Sequence, residues 1–321
     1  MENAIALKHV TKTFGRTTAV RDFDLTVPRG AMYGLIGPNG AGKTTIIRMI
    51  LAILFPDFGE LSVFGHSSIE AVRHRIGYLP EERGVYRKMR VGEFLTFMAR
   101  LKGMNDADIR RLVPEWLKKA ELPNVAKKRC EELSKGMQQK VQFITAVIHR
   151  PDILILDEPF SGLDPVNQRL LRDLVLEERR RGATILFSTH VMAHAEQLCD
   201  QIVMVHRGNK VLDGTLAEIL KTSDSRRILF EPLDPSADVA KLRKMPGVAD
   251  VGRENASWEI TLSENADIAE VIRELAVAMV PAHIQIRRPT LEDIFISIVT
   301  GKDDDAAGLR TALRGENMEA E

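Results

Sequence analysis

The residues most able to do chemistry lie in a glycine-rich segment near the N-terminus. Residues 37–44 read GPNGAGKT, which matches the pattern G-x-x-x-x-G-K-[ST] of a phosphate-binding loop. Glycine is needed because a Cβ would obstruct the backbone conformations that turn N–H groups toward phosphate. We expect Lys43 to reach the β- and γ-phosphates and the Thr44 hydroxyl to bind Mg²⁺. The residues expected to contact the nucleotide here are Gly37, Asn39, Gly40, Ala41, Gly42, Lys43, Thr44 and Thr45.

A pair of acidic residues follows an apolar segment in the middle of the chain. Residues 153–156 read ILIL, and Asp157 and Glu158 come directly after them. A buried strand of a parallel sheet delivers the residues at its carboxyl end to the edge where ligands bind. We expect Asp157 to hold the hydration shell of Mg²⁺ and Glu158 to act as general base toward the attacking water. Such a base contributes about 10²–10⁴ in rate.

Two further motifs indicate a second contact to phosphate. Residues 133–139, LSKGMQQ, open an amphipathic helix and place Ser134 and Gly136 at its N-terminus, where anions bind. Residues 188–190, STH, end a strand that we expect beside the strand of Asp157. The imidazole of His190 then lies where it could touch a γ-phosphate.

The elements that must position these residues alternate between strands and helices. The predicted strands are 4–10, 23–27, 31–36, 153–156, 183–188 and 201–206. The predicted helices are 44–54, 166–181 and 192–198, and residues 91–150 form a mostly helical subdomain. This alternation predicts an α/β domain over residues 1–222, built on a parallel sheet with helical crossovers.

The pattern changes after residue 222. Residues 223–300 predict the order β-α-β-β-α-β of a small α+β domain with the split βαβ, ferredoxin-like plan. Its closing helix opens with the capping-box residues TLED at 290–293. Residues 301–321 are acidic and hold few large apolar side chains, so we expect a disordered tail there.

Composition excludes several classes of protein. The chain has 321 residues, 45 basic and 45 acidic, so its formal net charge is zero. A zero net charge gives no general attraction to nucleic acid, and no nucleic acid partner is expected. The hydrophobic share of 44% is that of a globular protein. The longest uninterrupted apolar run is 49–55, much shorter than the roughly twenty residues of a membrane-spanning helix.

Together with PFSGLD at residues 159–164, these motifs resemble the nucleotide-binding subunit of an ATP-binding cassette (ABC) transporter. The resemblance covers about residues 4–220, with the motifs in the family's order. It implies a P-loop NTPase cassette, in which a RecA-like core carries antiparallel β and helical subdomains. It also implies an ATP hydrolase whose cofactors are ATP and Mg²⁺.

The resemblance assigns roles within one chain. It implies that Phe14 stacks on adenine and that Asp157 serves the magnesium ion. Glu158 becomes the catalytic carboxylate, and His190 becomes the switch that contacts the γ-phosphate. The family's loop glutamine aligns with Glu81, which takes its place as a catalytic residue and a metal ligand. A carboxylate can ligate Mg²⁺ but cannot donate a hydrogen bond.

The resemblance also implies partners. Ser134 and Gly136 would contact the γ-phosphate of the opposite subunit, and Asp164 lies in the loop that crosses to it. Two chains, identical or different, would then sandwich two ATP molecules. Their closure would drive a separate transmembrane permease subunit, so the protein is expected to be cytoplasmic and peripheral at the inner face of the cell membrane.

The sequence departs from the family pattern at several positions. These departures indicate a subgroup of the family, and they leave open an alternative function. In the signature motif, Lys135 replaces a glycine and Met137 replaces a glutamine. These variants, with RPTLEDIF at 288–295, resemble a subgroup that serves multidrug, polysaccharide or sodium-type exporters. If Glu81 and Met137 disable the composite site, the protein would be a low-turnover nucleotide-dependent switch. Glu158 and His190 together argue against that, since a protein that only binds nucleotide would not need both.

Two related classes of ATPase fit less well. Chromosome-maintenance ATPases share these motifs but carry a long coiled coil between them, and no sustained heptads separate Lys43 from Asp157 here. Cassette ATPases of translation carry two cassettes in one chain, whereas this chain has one G-x-x-x-x-G-K segment.

Overall fold

The computed structural model describes residues 3–82, 84–222, 226–234, 237, 239–254, 257–263, 265–287 and 289–300. The tail predicted at 301–321 lies outside the described residues. The chain divides into two compact units. The first holds the residues up to Leu216 together with those from Phe295 onward, and the second is Ala217–Ile294. The functional division after residue 222 stays a prediction.

Before the chain enters the second unit, the described residues of the first unit form nine strands and six α-helices. In chain order they are β1 (Asn3–Phe14), β2 (Thr17–Pro28), β3 (Met32–Ile36), α1 (Lys43–Ile50), β4 (Phe58–Val63), β5 (Ile76–Leu79), α2 (Val91–Leu101), α3 (Asp106–Lys119), α4 (Lys135–Val147), β6 (Ile153–Asp157), α5 (Pro165–Arg180), β7 (Thr184–Thr189), α6 (Met192–Leu198), β8 (Gln201–His206) and β9 (Asn209–Thr215). Among the described residues of the whole chain, no helix is both long enough and apolar enough to cross a membrane.

A six-stranded sheet forms the centre of the first unit. Its strand order is β5-β6-β7-β3-β8-β9, and every neighbouring pair is parallel except β8–β9. Every residue of β3, β6 and β7 is buried, as expected for strands covered on both faces. The prediction of a parallel sheet with helical crossovers is therefore confirmed. β5 and the outer strand β9 were missed, because short segments interrupted by glycine give a weak strand pattern.

A second, antiparallel sheet in the order β2-β1-β4 stands beside the nucleotide loop. β1 and β2 extend well beyond the predicted 4–10 and 23–27. Bulges along β1 shift its register against β2, and His9 and Asp22 take positive φ of 51° and 43°. A bulge breaks the period-two alternation, so periodicity reveals only part of each strand.

The helical subdomain consists of α2, α3 and α4. Trp116 of α3 packs edge-on against Phe143 of α4, with ring centroids 6.4 Å apart. The residues of α4 from Gln139 to Val147 are all buried, so this helix is the core of the subdomain. The helix predicted over 44–54 ends earlier, at Ile50. Ala52 has φ 50°, which turns the chain out of the helix although the apolar run continues.

The second unit is an antiparallel sheet with a covering helix. Helix α7 (Leu216–Thr222) opens this unit, and α9 (Leu291–Thr300) begins at its other chain end and continues into the residues of the first unit. Between them are β10 (Arg227–Pro232), β11 (Val248–Glu254), β12 (Ser257–Leu262), α8 (Ile268–Ala278) and β13 (Pro281–Arg287). The strand order is β11-β12-β10-β13, with all neighbours antiparallel. β10 and β11 are thus parallel with β12 between them, which confirms the predicted split βαβ plan. Its first crossover is the 3₁₀ helix Val239–Lys244.

Candidate active site

The phosphate-binding loop connects β3 to α1, and its glycines are required by sterics. Gly37 has φ 153° and Gly42 has φ 110°, conformations that side chains other than glycine rarely adopt. A Cβ on Gly37 would lie 2.1 Å from the carbonyl oxygen of Val205, and one on Gly42 would lie 2.5 Å from that of Ala19. The loop therefore packs directly against neighbouring backbone, which fixes its shape.

A cavity of about 300 Å³ lies over this loop. It brings together residues that are far apart in the sequence: Ala19, Asn39, Gly40, Ala41, Gly42, Lys43, Thr44, Thr45, Glu81, Asp157 and Glu158. Every one of them except Ala19 was predicted from the sequence as a site residue. Ala19 lies on β2, and its position against the loop carries no signal in the sequence.

Lys43 is held inside the cavity by its own loop. Its side chain is 6% exposed, and Nζ donates to the carbonyl oxygens of Gly37 at 2.7 Å and Pro38 at 3.2 Å. Nζ also lies 3.8 Å from Oε1 of Glu158. Burial lowers the pKa of Lys43, while the Glu158 carboxylate opposes that shift. The ammonium thus sits beside backbone acceptors that phosphate oxygens can replace.

Asp157 is a buried carboxylate at the end of β6. Within the described residues, neither of its oxygens makes a hydrogen bond of normal geometry, and the buried Ser188 hydroxyl makes none either. Burial raises the pKa of Asp157, and the carboxylates of Glu81 and Glu158 raise it further. The hydroxyls of Ser188 and Thr44 oppose that rise, and a buried carboxylate with acceptor capacity left over fits a cation site. Thr44 and Glu81 line the same cavity, and this set of hard oxygen donors fits Mg²⁺.

Glu158 is fixed by residues at the end of β7. Its backbone has φ 47°, and its N–H donates to the carbonyl oxygen of Ser188 at 3.0 Å. The Thr189 hydroxyl donates to Oε2 at 3.1 Å. Both the backbone N–H and Nδ1 of His190 lie 2.7 Å from Oε1. Strained backbone of this kind concentrates at functional sites. The hydrogen bond to Glu158 raises the pKa of His190.

Comparison with known proteins identifies the family. The family model described as "ABC transporter" matches residues 20–161, and the model described as "ATP-binding protein DrrA1-3-like, C-terminal domain" matches residues 214–299. The uncharacterized ABC transporter ATP-binding protein YhaQ of Bacillus subtilis (strain 168) is 41% identical over 296 residues, which cover 92% of this chain and 98% of that protein. The chain belongs to the ABC transporter ATP-binding family. It is the ATP-binding subunit of an ABC transporter, and its family hydrolyses ATP to power transport.

Two further ABC proteins resemble this chain over most of their length. The Nod factor export ATP-binding protein I of Rhizobium sp. (strain N33) is 32% identical, over 94% of this chain and 98% of that protein. The solved dimeric structure of MJ0796, a bacterial ABC transporter cassette, superposes with a TM-score of 0.61 and 25% identity. The superposition covers 66% of this chain and 98% of that chain.

The three residues predicted to act on the opposite subunit lie outside the cavity of their own chain. Ser134 caps α4 and accepts a hydrogen bond from the backbone of Met137 at 3.3 Å. Asp164 caps α5 through Oδ1, which accepts from the backbone of Asn167 at 3.0 Å. Gly136 lies against the loop of Asp164, since a Cβ on it would be 3.4 Å from a methyl group of Leu163. The signature motif and the Asp164 loop are thus neighbours.

Two predicted residues lie at the margin of the site. Phe14, at the end of β1, is 47% exposed, and the ammonium of Lys12 lies 5.6 Å from its ring centroid. It does not line the described cavity, and its stacking on adenine stays a prediction. His190 does not line the cavity, but its ring contacts Glu158, which does. Thr189 was missed as a site residue, although the motif STH that contains it had drawn attention to His190.

Proposed function

We propose that this ABC subunit hydrolyses Mg-ATP with Glu158 as the general base. The observation that carries the proposal is the fixed Glu158 carboxylate, which is held by Thr189 and His190 at the wall of the phosphate cavity. A base in this place accepts a proton from a water that attacks the γ-phosphate. Its side chain is 6% exposed, so it needs little reorganisation before it acts.

The other residues of the site bind and orient the nucleotide. Lys43 pairs with the β- and γ-phosphates once its bonds to the loop carbonyls are exchanged for phosphate oxygens. Mg²⁺, when bound, neutralises charge on the phosphates, and Thr44, Asp157 and Glu81 are the residues that would hold it. His190 keeps Glu158 in position and extends toward the γ-phosphate.

We propose that the working form is a sandwich of two ATP-binding subunits. Ser134, Gly136 and Asp164 lie outside the cavity of their own chain, as residues that act on the opposite subunit must. The solved MJ0796 cassette, which is similar to this chain, is dimeric, and this supports a working form of two subunits. Phe14, exposed beside the cassette's β1–β2 hairpin, would then stack on the adenine ring.

The transport partner is proposed from the relatives. The similar Nod factor protein is named for export, so we propose that this subunit serves an exporter and drives a separate transmembrane permease. It would work in the cytoplasm, peripheral at the inner face of the cell membrane. The proposal involves no nucleic acid.

The experiment is the light-scattering mass of the Glu158→Gln protein with and without Mg-ATP. A variant that binds ATP but does not hydrolyse it should accumulate as a dimer only when Mg-ATP is present. Glu60→Gln, an exposed residue of β4, is the control and should keep wild-type hydrolysis. Hydrolysis by Glu158→Gln at the wild-type rate would show that another residue is the base.

A further inference from the structure

A second cavity of about 300 Å³ lies between α5 and α6, apart from the phosphate cavity. We call it the α5–α6 cavity. Its lining includes Phe160, Gln168, Arg169, Arg172, His194 and Gln197. None of these residues has a role in the nucleotide chemistry described above. Its volume is at the small end of the range of small-molecule sites, about 300–1,000 Å³.

The charge of the α5–α6 cavity is positive. Arg169 and Arg172 lie one turn apart on α5 and therefore on the same face of the helix. Among the described residues, no carboxylate lines the cavity. Arg172 donates to Oε1 of Gln197 at 3.2 Å, whereas the guanidinium of Arg169 makes no hydrogen bond or ion pair within the part of the chain that the structure describes. Guanidinium groups match the planar acceptors of carboxylates and phosphates.

The lining of the α5–α6 cavity also includes two aromatic rings in contact. Phe160 is 5% exposed, and the ring of His194 meets it edge-on with centroids 5.2 Å apart. Burial lowers the pKa of His194, so this ring is neutral near pH 7. Two aromatic rings and two cations in the lining of one cavity suit a molecule that carries both an anionic group and an apolar body.

We propose that the α5–α6 cavity binds a small aromatic anion. Its anionic group pairs with Arg169 and Arg172, and its ring packs against Phe160 and His194. The aromatic part of this recognition is already built by the fold, because Phe160 and His194 are in contact before any ligand binds.

The α5–α6 cavity connects the two chain segments that fix the general base. Phe160 follows Glu158 closely in the sequence, and Gln168 donates to the carbonyl oxygens of Phe160 at 3.4 Å and Leu163 at 2.9 Å. His194 belongs to α6, which begins just after His190. A ligand that touches both α5 and α6 holds the Glu158 segment and the His190 segment at one spacing. Its binding therefore changes the rate of ATP hydrolysis.

The test uses phenyl phosphate as the probe and the full chain saturated with ADP, so that the phosphate loop is occupied. Calorimetric titration should give saturable binding, and phenol or inorganic phosphate should bind more weakly because each lacks half of the recognition. In the double variant Arg169→Gln/Arg172→Gln, the dissociation constant should rise at least tenfold. Arg180→Gln, an exposed arginine at the other end of α5, is the matched control and should bind as the wild type does.

The regulatory part is measured as ATP hydrolysis with and without phenyl phosphate. The rate should change at least twofold in the wild type and in Arg180→Gln, and should stay constant in the double variant, whose basal rate equals that of the wild type. The proposed binding site would be contradicted by any of three results: the probe does not bind, the double variant binds it with equal affinity, or the probe competes with ADP. Binding without any change in rate would overturn the regulation.

Discussion

His190 contacts one carboxylate oxygen of Glu158 twice, through its backbone N–H and through Nδ1, each at 2.7 Å. The contact exists because β6 and β7 are neighbouring parallel strands in which Asp157 pairs with Ser188. The residues that follow each strand then emerge side by side at the same edge of the sheet. The orientation of the Glu158 carboxylate is thus a consequence of strand register.

The pKa of His190 should lie above its usual value of 6.5. The proton on the imidazole is stabilised by the Glu158 carboxylate, so replacing that carboxylate by an amide in Glu158→Gln should return the pKa toward 6.5. The measurement is the pH titration of the His190 ring signals by NMR in the presence of a metal chelator, with His190→Gln used for assignment. An unchanged titration in Glu158→Gln would mean that Glu158 does not set the charge of His190.

The same contact should make stability depend on pH. Because the folded-state pKa is raised, the contribution of His190 is fully present below pH 6.5 and is lost as the pH rises through the raised value. The loss of melting temperature in His190→Gln should therefore be larger at about pH 6 than at about pH 9. An equal loss at both pH values would assign the effect to packing instead of charge.

Asp157→Asn should change stability and nucleotide affinity in opposite directions. Burial raises the pKa of Asp157, so keeping this carboxylate in the folded protein costs free energy above its unfolded pKa, and the amide should raise the melting temperature without nucleotide. The same change removes a carboxylate that we propose to hold Mg²⁺, and the affinity for Mg-ATP should fall about 10- to 100-fold. Asp173→Asn, exposed on α5, is the control. A loss of both stability and affinity would contradict the interpretation that burial of the Asp157 carboxylate destabilises the folded protein.

Gly42→Ala should distort the phosphate loop. The added Cβ would stand 2.5 Å from the Ala19 carbonyl oxygen at a backbone φ of 110°. Backbone strain of this kind costs about 1–3 kcal/mol, and the loop must shift before it can bind phosphate. Calorimetry should show weakened ATP binding and a lower melting temperature. Gly252→Ala serves as control, because a Cβ on that residue would have no described atom within 4 Å beyond its own chain neighbours.

Phe295→Ala should destabilise the first unit although the residue belongs to the last helix of the described chain. Phe295 is fully buried, and its ring packs edge-on against His206 of β8 at 5.7 Å. Removal of a buried phenyl ring costs about 3–5 kcal/mol, which should lower the melting temperature in calorimetry. Phe55→Ala, at a side chain 72% exposed, should have little effect. A truncation after residue 222 removes the same ring, so its ATP binding should be compared with that of Phe295→Ala.

The chemistry that is local in the chain could be predicted from the sequence. The phosphate loop lies within eight consecutive residues, and its glycine and lysine spacing is set by backbone geometry over that short distance. Asp157 and Glu158 were recognised because an apolar strand directly precedes them. The buried strands were found for the same reason, since a strand covered on both faces is continuously apolar. By contrast, β5 and the bulged ends of β1 and β2 carry no such pattern.

Packing between distant segments was decided only by the tertiary structure. The hydrogen bonds from Thr189 and His190 to Glu158 depend on the register of β6 against β7. The position of Ala19 depends on how β2 packs against the phosphate-binding loop. Phe295 is buried in the first unit only because the chain returns to that unit after it has formed the second one. The same holds for Arg169 and His194, whose separate helices form one cavity. Sequence reports the local preferences of the backbone, whereas these relationships arise from non-local contacts that form only when the chain is packed.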